Sequence, residues 1–168
     1  MIDYTRGGGG SGATNVDYTR NILQGMQIKE EEGKISLYQP LVDFYTEQVT
    51  TNGIKDDAQI NVTDEMMDAA AAEANTAVVT IGRYSSEGSD RSATKGDYYL
   101  SDAEEELITR VAAKFDKVIV VLNVGAVTDT SWINAIEGVD AVLVGWQAGM
   151  EGGLATADIL VGLSLIHI

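Results

Sequence analysis

Between Ala77 and Val144 the sequence alternates runs that only a buried strand can use with a stretch that only a helix can use. Ala77 to Ile81, Val118 to Leu122 and Ala141 to Val144 are short, apolar and rich in β-branched residues, the pattern of strands covered on both faces of a parallel sheet. Between the first two, Ser101 stands three residues before Glu104 in the spacing of a capping box. Leu107, Ile108, Val111, Ala112 and Phe115 follow on one helical face. This is a β-α-β unit, and it commits the chain to an α/β fold with a mostly parallel sheet flanked by helices, a three-layer α/β/α sandwich.

Other stretches extend the alternation. Thr63 to about Asn75 reads as a helix, capped by a hydroxyl and with Asp64 and Glu65 in its first turn, where they complement the helix dipole. A helix is expected from about Asn15 to Met26 after the glycine run Gly7 to Gly12, and another from Leu154 to Val161 after Gly145, Gly149, Gly152 and Gly153. Parallel strands joined by right-handed crossovers place every strand-to-helix loop on one rim, where ligands of open α/β sheets bind. The rim loops are then Gly7 to Thr14, Gly82 to Leu100, Val124 to Ser131 and Gln147 to Gly153.

Of these the connection from Gly82 to Leu100 stands out, because compact domains usually join elements with about 4–6 residues. It carries Gly82-Arg83-Tyr84-Ser85-Ser86-Glu87-Gly88-Ser89-Asp90-Arg91 directly after a strand, so it is a candidate active-site loop bearing a carboxylate, Glu87. A general acid there needs its proton held near neutral pH by burial or by a second carboxylate. The plainer reading is a solvated glutamate beside a local Asp90–Arg91 salt bridge. Trp146, at a strand end on the same rim, is either a sugar-stacking ring or core, and Tyr98 and Tyr99 carry the same ambiguity, with at least one expected to pack inward. Ser11 either points its hydroxyl at a ligand or closes the glycine turn. Gly7, Gly9 and Gly12 also fit a dinucleotide-binding spacing with Glu30, Glu31 and Glu32 downstream. A run of four glycines fits almost any such pattern, and Gly12 is not followed by the lysine of a phosphate-binding loop.

Composition narrows the partners. Acidic residues number 26 against 11 basic, for a net charge of −15. That charge disfavours nucleic acid and anionic membrane and leaves neutral small molecules unpenalised. Without cysteine there is no disulfide and no thiolate zinc site, and no apolar run is long enough to span a bilayer. The 168 residues, 45% of them apolar, suffice for one domain.

Both ends depart from the pattern of a whole domain. The glycine run is preceded by only Met1-Ile2-Asp3-Tyr4-Thr5-Arg6, so a first strand is expected to be missing. Residues 163–168, Leu163-Ser164-Leu165-Ile166-His167-Ile168, match one reading frame of a common sequencing adapter. His167, the single histidine, then carries no native information, which removes histidine triads and histidine zinc sites. Met1 to Arg6 has no signal-peptide character, which points to the cytoplasm only if the start is native, so the compartment is left open.

Taken in order, the glycine loop Gly7 to Asn15, Thr80-Ile81-Gly82-Arg83, Ser86-Glu87-Gly88 with Asp90-Arg91, and Lys95-Gly96-Asp97-Tyr98-Tyr99-Leu100 form a set. With Val120-Val121-Leu122-Asn123-Val124-Gly125 and Trp146-Gln147-Ala148-Gly149, the set resembles the C-terminal α/β sandwich domain of glycoside hydrolase family 3, the β-glucosidase and related exo-glycosidase family. The likeness covers residues 1–162, as a partial domain. It implies a retaining exo-β-glucosidase, releasing terminal β-linked glucose, in which a preceding (β/α)8 barrel, absent here, supplies the aspartate nucleophile and most of the sugar contacts. It implies Glu87 as general acid/base, Ser11 as a ligand to a sugar hydroxyl, and no cofactor or metal. The reading that competes with it is a non-catalytic α/β module that binds a nucleotide or other small ligand through the glycine loop.

Overall fold

The computed structural model describes residues 4–53 and 60–163. Three strands, β1 (Thr76–Arg83), β2 (Lys117–Val124) and β3 (Ala141–Val144), form one sheet in the order β1-β2-β3. Both pairings are parallel, with Thr76 opposite Lys117, Arg83 opposite Val124, and Leu122 opposite Val144. Five helices accompany them: α1 (Ile22–Glu31), α2 (Gln39–Thr50), α3 (Asp64–Glu73), α4 (Asp102–Ala112) and α5 (Gly152–Leu160).

Strand alternation sorts the sheet residues into two cores. Val79, Ile81, Val118, Val120, Leu122 and Val124 face a large cluster with Met67 of α3 and Leu107, Ile108 and Val111 of α4, against which Leu41, Phe44 and Tyr45 of α2 also pack. Val121 faces the other way, into a smaller cluster with Ile22 and Met26 of α1 and Ala157 of α5, joined by Val78 and Leu143. The sheet is thus the middle of three layers; central β2 is buried as its pattern requires, whereas β3, at the edge of the described sheet, is not covered on both faces, with Ala141 and Val144 exposed. In the thinner layer α1 and α5 lie close together because Gly25 and Gly153 carry no side chain: a Cβ on Gly25 would run into the Gly153 backbone, and one on Gly153 into that of Asn21. Lys29, buried between the two helices, pairs with Asp158 at 2.7 Å and Glu32 at 2.8 Å.

Ser101 and Glu104 form the expected capping box, and Thr63 caps α3. Two helix starts differ from the sequence reading, and one helix lies where it placed no element. Helix α1 starts at Ile22 rather than near Asn15, because Asn21 and Gln24 make a reciprocal capping box there. The residues before it are held off the helix axis: the Arg20 backbone N–H donates to the Met150 carbonyl at 2.8 Å, and the Tyr18 hydroxyl and Arg20 guanidinium both bond Glu151. Helix α5 starts at Gly152 instead of Leu154. Helix α2, with Pro40 in its first turn, lies in a stretch to which no element was assigned. No strand precedes the glycine run among the described residues, and the adapter reading of 163–168 lies, beyond Leu163, outside them, as does His167.

Where β1 ends, Arg83 meets the N-terminus of α4. Its Nη1 and Nη2 each donate to one oxygen of Glu104 at 2.5 Å, Nη1 also to the Gly82 carbonyl at 2.8 Å, and Nε to the Asp97 carbonyl at 3.1 Å. The two side chains are 9% and 3% exposed, so this is a buried, two-pronged ion pair, and Glu104 additionally accepts the Ser101 backbone N–H at 2.7 Å. Removing one partner of such a pair leaves an uncompensated buried charge, at a cost of about 3–5 kcal/mol. Glu104→Ala is therefore expected to lower the unfolding free energy of the chain by that amount in urea titrations followed by circular dichroism. A loss below about 1 kcal/mol would show that water reaches Arg83 and the pair is not truly buried.

Candidate functional site

The C-terminal ends of the three strands release three segments on one edge of the sheet, and a side chain at the end of β2 ties the one after β3 to the chain's first described residues. Asn123 is 3% exposed. Its Oδ1 accepts the Thr5 backbone N–H at 2.7 Å, while its Nδ2 donates to the Thr5 carbonyl at 2.9 Å and to the Trp146 carbonyl at 2.7 Å. Further bonds stitch the rim: the Gly149 N–H donates to the Arg6 carbonyl at 2.8 Å, the Tyr4 hydroxyl to the Gly149 carbonyl at 3.1 Å, and the Asp129 N–H to the Tyr98 carbonyl at 2.8 Å.

From Thr5 the chain enters the glycine run, which folds against the segment following β1. A Cβ on Gly9 would stand 2.6 Å from the Tyr84 hydroxyl, and one on Gly10, whose φ is +61°, 3.1 Å from Glu87 Oε2. Gly9 thus lets the Tyr84 hydroxyl lie close to the glycine run, and Gly10 takes a backbone conformation that side chains disfavour. The result is contact between the two residues singled out in the sequence: Ser11 Oγ donates to Glu87 Oε2 at 3.1 Å, across 76 positions of chain. Both are exposed. Beside them Tyr4 to Gly9, Ala13 and Tyr84 line a cavity of about 380 Å³, with the Tyr84 ring 54% exposed.

The aromatic expectations resolve in different ways. Trp146 follows β3 with φ +51° and is 50% exposed, so it belongs to the rim surface and not to the core. Tyr98 is half-buried and Tyr99 42% exposed, stacked edge to face with ring centroids 5.0 Å apart, so neither is a core residue.

The long connection after β1 is not the loose loop its length suggested. Arg91 does not pair with Asp90. Its Nη1 donates to Asp97 Oδ1 at 2.5 Å and its Nη2 to the Tyr84 carbonyl, while Asp97 Oδ2 accepts the Ser92 N–H at 2.7 Å. Farther on, the Tyr98 N–H donates to the Ser92 carbonyl at 3.2 Å and the Gly96 N–H to the Tyr99 carbonyl at 3.0 Å. Asp97 and Asn123 were given no role of their own in the sequence reading, and Arg91 only that of a salt-bridge partner to Asp90. For Asn123 a signal existed, since an amide inside the apolar run Val118 to Val124 must find partners when buried.

The nucleotide reading has no support in this geometry. The glycine run does not open a helix, because it passes into a 3-10 turn at Gly10–Gly12 and α1 begins only after Asn21. Its amides therefore lie away from a helix N-terminus. Two of the three candidate ribose acids are engaged elsewhere, Glu30 accepting the Leu37 N–H at 2.7 Å and Glu32 pairing with Lys29. Among the described residues, no group of three or more histidines, cysteines or acids is placed to hold a metal ion, and no helix is long and apolar enough to cross a membrane.

Comparison with known proteins gives a consistent result. The family model for the glycosyl hydrolase family 3 C-terminal domain matches residues 2–164. Beta-glucosidase A of Butyrivibrio fibrisolvens is 36% identical over 96% of the chain, and a beta-glucosidase of Ruminococcus albus 31% identical over 96%. The crystal structure of a beta-glucosidase from Paenibacillus barengoltzii superposes with a TM-score of 0.84 at 36% identity, covering 96% of this chain and 19% of that one. Beta-glucosidase 3B of Thermotoga neapolitana in complex with glucose gives 0.80 at 33% identity, covering 96% and 24%. The chain spans about a fifth of the two curated relatives, 22% and 18% of their lengths.

The Asp97 carboxyl is held below its ordinary value first by the Ser92 backbone N–H and then by Arg91 and the Arg83 charge, with desolvation opposing them. A depressed folded-state value means that Asp97 contributes stability fully above the unfolded carboxylate value of about 3.9 and loses it as pH falls through the lower folded value. Amide exchange of residues 84–97, normalised to the intrinsic rate, is expected to accelerate below about pH 4. Asp97→Asn should lack that step, and an identical step in the variant would place its origin elsewhere.

Proposed function

The chain belongs to the glycosyl hydrolase family 3 C-terminal domain family, and from that premise we propose that it supplies the acid/base loop of a retaining, exo-acting β-glucosidase. In this reading the active site is completed by a (β/α)8 barrel outside the sequence, and the substrate is a β-glucoside or oligosaccharide with a terminal non-reducing β-D-glucosyl residue. The observation that carries it is the Ser11–Glu87 hydrogen bond, which joins the glycine loop to a carboxylate on the exposed rim. The relatives named as beta-glucosidases, and the glucose in the complex of the Thermotoga neapolitana protein, favour a glucoside over other neutral ligands.

The chemistry asks two things of Glu87. As a carboxylic acid it protonates the glycosidic oxygen while a nucleophilic carboxylate from the barrel attacks the anomeric carbon. The aglycone leaves with that proton and a covalent glycosyl intermediate remains. As a carboxylate it then takes a proton from water, whose oxygen attacks the same carbon and releases the sugar with its configuration retained. The two carboxyl groups must stand about 5–5.5 Å apart, and an exposed rim position lets Glu87 meet a partner carried by another domain. Ser11, which donates to Glu87 Oε2, is in this reading also a ligand to a sugar hydroxyl beside that carboxylate.

In the full-length protein, Glu87→Gln keeps the size of the side chain and removes its proton. It is expected to reduce kcat/KM on cellobiose by about 10²–10⁴-fold and to affect an activated aryl β-glucoside far less, since a good leaving group needs no protonation. Parental rates on cellobiose would remove Glu87 from the mechanism. The 168-residue chain by itself, lacking a nucleophile, is expected to release no product from an aryl β-glucoside, and measurable turnover would contradict the shared site.

A further inference from the structure

We propose that Arg91 is a positioning residue for Glu87, acting with Asp97 as a clamp that fixes the acid/base loop before substrate arrives. This rests on the acid/base reading above and adds the group that sets where Glu87 stands.

The bonds around Glu87 are few and mostly long. Its carboxylate accepts Ser11 at 3.1 Å and its carbonyl the Ser86 hydroxyl at 3.4 Å, while the Ser89 N–H donates to the Ser86 carbonyl at 3.0 Å and Gln147 Nε2 to the Ser85 carbonyl at 3.4 Å. Arg91 supplies the closure. By donating to the Tyr84 carbonyl it joins the two ends of the 84–91 segment into a ring that contains Glu87. Its other prong, at 2.5 Å from Asp97, anchors that ring to a residue whose own carbonyl accepts Arg83 Nε at 3.1 Å, and Arg83 is locked into Glu104. Mechanical continuity thus runs from the buried start of α4 through Arg83, Asp97 and Arg91 to the loop that presents the carboxylate.

Two features separate this from an incidental surface pair. Although the segment around it is exposed, the Arg91 side chain is only 14% exposed. Its Nε is buried with no hydrogen-bond partner among the described residues, while Nη1 and Nη2 are both engaged. The rigid planar fork fixes the directions of its two bonds, whereas a lysine ammonium, a compact charge on a flexible stem, can bond two acceptors but does not fix the geometry between them. For a proton donor the consequence is kinetic, since a displacement of about 1 Å costs on the order of 10²-fold in rate.

The experiment is a double-mutant cycle in the full-length protein. Arg91→Lys is expected to lower kcat/KM on cellobiose by about 10²-fold, to lower it far less on a dinitrophenyl β-glucoside, and to slow Glu87→Gln no further. Equal losses on the two substrates, a full multiplicative loss on top of Glu87→Gln, or parental rates would each overturn the proposal. If Arg91→Lys does not fold, Asp97→Asn leaves the bond to Tyr84 intact and is expected to show the same substrate split at smaller size; parental behaviour there overturns it equally. Should Glu87→Gln itself match the parent on cellobiose, the acid/base reading fails and the clamp is judged on amide exchange at residues 85–90. Faster exchange in Arg91→Lys supports it, and unchanged protection overturns it.

Discussion

Everything on the rim depends on the parallel register that sets Gly82 against Asn123 and Leu122 against Val144. Because the strands are parallel, Arg83 at the end of β1, Asn123 near the end of β2 and Trp146 two residues past β3 lie on the same edge of the sheet. Arg83 and Asn123 depart from the apolar pattern of their strands, and each organises chain beyond it. Arg83 secures the base of the long connection, Asn123 fastens the opening residues and the turn after β3, and Trp146 exposes its ring. A slip of one residue would send the apolar side chains of a strand to the wrong layer and scatter these three, so the packing that makes the core also aligns the site.

The glycine run and the segment after β1 meet because each removes an obstacle to the other. The first gives up side chains where Tyr84 and Glu87 press against it, and the second is drawn in by its own arginine. Neither half alone would bring a hydroxyl to a carboxylate from so far away in sequence. Rigidity on one side and bareness on the other are complementary ways to limit the conformational entropy that a long surface connection otherwise retains.

Local chemistry made much of this legible in the sequence. The Ser101–Glu104 box, the Thr63 cap and the three β-branched runs are self-contained signals, and each appears where its residues put it. The start of α1 was missed although Asn21 and Gln24 carry the same reciprocal capping chemistry as Ser101 and Glu104. Helix α2 was missed despite Leu41, Phe44, Tyr45 and Val49 at helical spacing behind Pro40. Arg91 belongs to a different class. Asp90 is its neighbour in sequence and Asp97 is its partner in space, a choice made by the return path of the loop, which no short-range rule encodes. Ser11 and Glu87 could be suspected separately, but their meeting is a tertiary fact.

The side chain of Asn123 behaves toward Thr5 as a peptide unit would, giving and receiving a hydrogen bond with the same residue. In effect a primary amide stands in for one rung of a ladder, and the polypeptide docks onto β2 without joining the sheet. Such a surrogate has no isostere among the common side chains: aspartate lacks the donor, leucine lacks both functions, and glutamine sets the same group one methylene farther out. The docking of Thr5 and the placement of the turn after β3 are therefore keyed together to a single carboxamide.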